Sequence, residues 1–154
     1  KPDHIFLQTF MDLRMFQIAA QAAMRHGIPV SAMMTFTEAG KTMMGNSVQD
    51  FVEGMREFPL TAIGINCSLG PERAVPVIAA FRQYTDLPLM FKPNAGKPIS
   101  QGDGTTVEYT ADIFVEDSLP ALDADVTYIG GCCGSDASYI RTLRGRLRRL
   151  GYGV

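Results

Sequence analysis

Apolar runs rich in Ile, Val, Phe and Met alternate with segments of helical period, and each run ends in a turn signal. The alternation predicts strand then helix, five times over. The first strand is residues 4–10, and Asp12 is a good N-cap for a helix with apolar residues at Leu13, Phe16, Ile18, Ala20, Ala23 and Met24. His26-Gly27 ends that helix in the manner of a C-terminal glycine cap. A second strand over 29–36 leads through the polar loop 37–46 to Ser47, which caps a helix carrying Phe51, Val52, Met55 and Phe58. The third strand is 61–67, and Pro71 opens a helix with Val75, Ile78, Ala79 and Phe81 inward. The fourth strand, 89–92, is followed by a long loop, 93–108, rich in glycine and proline. Thr110 caps a helix to about 122 that is irregular at Pro120; a short fifth strand, 126–129, and a helix from Ser135 or Asp136 to Leu150 complete the series.

Strands of continuous apolar character joined by helices predict a parallel α/β sheet covered on both faces. Five βα units would complete an open doubly wound sheet, whereas a (βα)8 barrel needs about 250 residues. The loops favour the barrel. The first strand ends Gln8-Thr9-Phe10-Met11-Asp12, without the glycine-rich phosphate turn of open sheets. The chemically loaded residues stand instead at the C-terminal ends of strands three, four and five, where a TIM barrel gathers its site.

With 154 residues the chain is long enough for one domain with a substantial core, and 46 % apolar against 19 % charged residues implies extensive cover. A net charge of −2 gives no positive field for nucleic acid. No apolar stretch approaches the roughly 18 to 20 residues of a membrane helix, and no basic-then-apolar leader is present, which predicts a soluble, cytoplasmic protein. The start at Lys1, with a strand almost at once, reads as a piece of a longer chain. Arg141, Arg144, Arg146, Arg148 and Arg149 read as solvated cations near a helix C-terminus, His4 and His26 as surface residues, and Lys92 as a strand-end cation near the chemistry.

Three cysteines are an odd number, so a complete intrachain disulfide framework is excluded. Cys67 ends a strand in GINCSLGPE (64–72), and Cys132 and Cys133 end another in GGCCGS (130–135), so all three project from the same end of the sheet. Three sulfurs facing one point offer a metal site with an open fourth position, and zinc takes thiolates at about 2.3 Å in tetrahedral geometry. Neighbouring cysteines on a regular strand point to opposite faces; the flanking glycines permit the turn that would bring both inward. A redox-active dithiol of Cys132 and Cys133 is the rival reading, opposed by the strain of bonding adjacent cysteines, and inert packing is the third.

GINCSLGPE, KPNAGKP (92–98) and GGCCGS, in that order, resemble the homocysteine S-methyltransferase family. The SLGP and PNAG wording is more similar to the homocysteine-binding domain of cobalamin-dependent methionine synthase than to the betaine-dependent branch. IFLQTFMDLR and VSAMMTFTEAGKTMMGNS extend the resemblance over essentially the whole chain. It implies a (βα)8 barrel whose C-terminal five units, four to eight, are present and whose first three are absent from this chain. It also implies that Cys67, Cys132 and Cys133 bind Zn²⁺, with Asn94 as a candidate fourth ligand in the absence of substrate, and that Gln8 and Asn66 contact substrate. The implied substrate is homocysteine or a related thiol, and the implied methyl donor is a corrinoid (cobalamin) on another domain or protein. Gln8 stands where the family usually carries a glutamate for the substrate amino group, so it retains an acceptor without the charge. A non-catalytic fragment needing a complementary chain is the alternative from a different class, since both edges of a five-stranded sheet would be unpaired.

Overall fold

The computed structural model describes residues 2–101 and 104–153. Five parallel strands stand side by side in chain order: β1 (Ile5–Phe10), β2 (Val30–Met34), β3 (Ala62–Asn66), β4 (Leu89–Lys92) and, after a hairpin, β7 (Val126–Ile129). The order never reverses, so there is no topological switch point, and right-handed crossovers carry successive helices to the same side of the sheet. This is the winding of a barrel wall. Cover by helices on both faces, expected from the sequence, is therefore replaced by helices on one face. Val30, Ala32, Met34, Ile63, Ile65, Leu89 and Phe91 pack into the main core on that side. Alternate residues point to the opposite, barrel-interior face, where Met33, Ala62 and Met90 form a smaller cluster of their own. That second cluster is why β2 and β3 are buried at every position.

The helices follow their sequence signals closely. α1 (Leu13–Met24) is capped by Asp12, whose carboxylate accepts from the Met15 N–H at 2.8 Å. α2 (Val48–Gly54) opens on a reciprocal capping box between Ser47 and Asp50, and α3 (Pro71–Phe81) opens on its proline. Thr110 caps α4 (Ala111–Ser118), which passes into a short 3₁₀ helix, Leu119–Ala124, at the irregularity expected near Pro120. α5 (Ala137–Arg149) is capped by Asp136. Phe16, Phe36, Phe51 and Phe81 interlock mostly edge to face between these helices and the sheet. At the opposite end of the sheet from the cysteines, the Arg82 guanidinium donates to the carbonyls of Thr85, Leu87, Ala124 and Asp125, tying the end of α3 to the entry of β7.

One segment departs from its expected form. The stretch 93–108, read as loop, contains an antiparallel hairpin of β5 (Pro98–Gln101) and β6 (Gly104–Val107). Its base at Ala95 and Tyr109 packs with α4 and α5.

Candidate metal centre

The cysteines are brought inward by backbone that a regular strand would not supply. Cys67 leaves β3 at φ +64°, and Ser68 follows at φ +64°. Two consecutive non-glycine residues in the left-handed region cost about 1–2 kcal/mol each, and neighbouring hydrogen bonds hold them there. The Cys67 N–H donates to the Lys92 carbonyl at 3.0 Å, and the Leu69 N–H donates to the Cys67 carbonyl at 2.8 Å. In the second loop the Cys132 N–H donates to the Pro93 carbonyl at 2.8 Å, while the Ser135 hydroxyl donates to the Cys132 carbonyl at 2.7 Å. A side chain at Gly131 would collide with Ser135, and Gly134 turns at φ +79°. These are the positions where the flanking glycines are required.

Residues 93–95 clamp the two loops together. The Asn94 N–H donates to the Leu69 carbonyl at 2.8 Å, and the Ala95 N–H donates to the Cys133 carbonyl at 2.9 Å. The Asn94 side-chain oxygen accepts from the Cys133 N–H at 3.1 Å. Asn94, a candidate ligand from the sequence, is thus engaged with the backbone of the vicinal pair. Below the clamp, Tyr109 wedges its ring against Gly70 and Gly96, where a Cβ would meet the ring at 2.6 and 2.5 Å. The Tyr139 hydroxyl donates to the Tyr109 carbonyl at 2.6 Å. Burial raises the pKa of both phenols, with nearby carboxylates, Glu108 foremost for Tyr109 and Asp136 for Tyr139, adding to it.

The three Sγ atoms lie within 4.8 Å of one another, and Cys67 Sγ and Cys133 Sγ are 3.4 Å apart. All are free thiols; Cys67 and Cys132 are half-buried and Cys133 is exposed. Thiolates at 2.3 Å from a tetrahedral ion would be spaced about 3.8 Å apart, so this donor set fits a zinc-sized cation. The short contact joins Cys67 to Cys133 across two loops, whereas the redox reading of the sequence relied on the adjacent Cys132 and Cys133.

Asn66, 1 % exposed, connects the sulfurs to the far strand. Its Nδ2 donates to Thr9 Oγ1 at 2.7 Å and approaches Cys132 Sγ at 3.7 Å, while its Oδ1 accepts from the Thr9 N–H at 2.9 Å. The Thr35 hydroxyl donates to the Asn66 carbonyl at 3.1 Å. Sequence reading singled out Asn66 but missed Thr9 and Thr35. Thr9 reaches Asn66 because it adopts φ +66° at an irregularity in the β1–β2 register, which no local pattern announces. Gln8 faces the interior, where its Oε1 accepts from Lys92 Nζ at 3.3 Å. His4 bonds Ser31 at the far end of the sheet, and Arg146 pairs with Glu116 on the outer helices.

Residues 1–147 match the family model described as Homocysteine S-methyltransferase. The methionine synthase of Mycobacterium tuberculosis is 27 % identical over 90 % of this chain, covering 12 % of its own length. That of Mycobacterium leprae is 24 % identical over 99 % of this chain, covering 13 % of its length. Among solved structures, the homocysteine methyltransferase MmuM from Escherichia coli superimposes in its apo form with a TM-score of 0.73 at 22 % identity, over 94 % of this chain and 49 % of MmuM. Its metallated form gives 0.72 at 21 % identity, over 94 % of this chain and 45 % of MmuM. The chain therefore spans under half of these barrel enzymes and a small part of the curated relatives.

Proposed function

The chain belongs to the homocysteine S-methyltransferase family, and we propose that it forms the thiol-activating part of a zinc-dependent S-methyltransferase, with Cys67, Cys132 and Cys133 as the metal ligands. The observation that carries this reading is the convergence of those three sulfurs within 4.8 Å. Zinc bound there would favour the thiolate form of an acceptor such as homocysteine at neutral pH, since coordination deprotonates a thiol.

The chain's own residues supply position. Asn66 directs an N–H toward Cys132 Sγ and fixes its orientation in the site. Asn94 holds the Cys133 backbone, so any part it takes as a fourth ligand would come through its remaining lone pair. Gln8 and Asn66 line the interior face that an acceptor would meet. A corrinoid-bearing domain or protein would supply the methyl carbon as an electrophile, its bonding pair remaining with the donor, and this chain's part would be to hold the acceptor sulfur, as thiolate, facing it. The remaining units of the barrel, preceding this segment, would close the site. No helix among the described residues is long and apolar enough to cross a membrane.

Metal analysis with thiol titration on the intact protein tests the assignment. Stoichiometric zinc is expected, with three fewer titratable thiols than in metal-free protein, and Cys67→Ala should lose the metal. Zinc retained in that variant would assign the metal to other residues.

A further inference from the structure

We propose that Lys92 anchors the anionic end of the acceptor, so that this site takes a thiol carrying a carboxylate. The inference rests on the transferase reading and specifies its substrate class. Lys92 closes β4 and is the register partner of Asn66, the residue whose amide approaches Cys132 Sγ at 3.7 Å. Its carbonyl accepts the Cys67 N–H. Its side chain therefore starts beside the sulfurs, on the interior face, and its Nζ reaches across to Gln8 Oε1 on β1 at 3.3 Å.

An ammonium has three donors and no acceptor, so one bond to a neutral amide leaves it short of partners. The ion pairs among the described residues are Arg73–Glu38, Arg82–Asp125 and Arg146–Glu116, and none involves Lys92. Lys92 is half-buried and its bond to Gln8 is exposed, so the ammonium is open to a ligand anion, which would gain a charge-assisted hydrogen bond there. Gln8 reinforces the preference. With its oxygen held by Lys92, its outward group is the NH₂, another donor. Asn66 and Thr9 satisfy each other, and the Asp12 carboxylate, which lines the groove beside Gln8 and Thr9, is engaged as the α1 cap. An acceptor with its thiol at the cysteines thus finds donors at its other end, suited to a carboxylate.

Calorimetric titration of the intact protein with two thioether probes tests this without requiring coordination of a thiolate. One is methylthio-butanoate, with a carboxylate and no amine; the other is methylthio-propylamine, with the reverse. The acid should bind about tenfold more tightly or better, the order expected of one charge-assisted hydrogen bond. Lys92→Met should abolish the preference, Lys92→Arg should retain it, and Lys92→Glu should reverse it. Equal affinity of the two probes for the unaltered protein, or an unchanged ratio in a folded Lys92→Met variant, would overturn the proposal. Zinc content of the same samples separates the two readings: zinc present without acid preference refutes the anchor alone, and acid preference without zinc supports the anchor while refuting the metal assignment.

Discussion

Asn66 carries more of the site than its neutral side chain suggests. Both of its polar ends are committed to Thr9, and the amide nitrogen also faces a ligating-type sulfur. Replacing it with Leu would leave the Thr9 N–H and hydroxyl without partners and remove the polar contact to Cys132. Thr9 is exposed, so water can take up its N–H and hydroxyl and the stability cost stays near the about 0.5–1.5 kcal/mol net value of a hydrogen bond, while loss of an outer contact to a metal ligand lowers metal affinity about 10–100-fold. Asn66→Leu is thus expected to shift both the denaturation midpoint and the zinc affinity measured by competition with a chelator. A variant that loses stability yet binds zinc with unchanged affinity would make Asn66 structural only. The partners of Asn66 were hidden from the sequence for a definite reason. The positive φ values at Thr9, Cys67 and Ser68 are imposed by tertiary hydrogen bonds on residue types that do not advertise left-handed backbone.

Where signals are local, the elements were legible in advance. Asp12, Ser47, Thr110 and Asp136 all cap the helices they were expected to open, because a cap is chemistry between residues two or three apart. The hairpin formed by β5 and β6 escaped notice because its strands are only four residues each and the glycine and proline around them read equally well as irregular chain. The α2 cap yields a pH-dependent prediction. The pKa of Asp50 is lowered from its ordinary 3.8, first by the Ser47 backbone N–H and then by the Ser47 hydroxyl. A depressed carboxylate pKa contributes stability that is complete above the unfolded value and is lost as pH falls through the folded one. Ser47→Ala should cost about 1 kcal/mol at neutral pH and flatten the acid limb below 3.8. Urea denaturation at a series of pH values measures both; equal slopes in the two proteins would mean that the Ser47 hydroxyl adds nothing to the acid sensitivity set by the backbone N–H.

For the whole molecule, the sequence indicated a barrel wall through the absence of a phosphate turn and the gathering of cysteines at one end, and the unreversed strand order agrees. It gave no account of how the wall's two edges are finished. β1 and β7 each have one neighbour within the five-stranded sheet, and Phe6 and Tyr128, on the interior face of those edge strands, are 52 % and 49 % exposed. Outside β1, Met11, Met15, Met43 and Met44 line an apolar groove, and Ile140, Leu143 and Leu147 line another beside β7. Unpaired edges flanked by apolar grooves are templates for association. The isolated 154-residue chain should therefore self-associate as concentration rises, while the same arc completed to a closed (βα)8 barrel should not. Sedimentation velocity over a concentration series distinguishes the two. A discrete monomer that unfolds cooperatively at every concentration would show that the five-unit arc satisfies its own edges, because a sheet left open at both sides cannot hide Phe6 and Tyr128 without either closing on itself or recruiting a second surface.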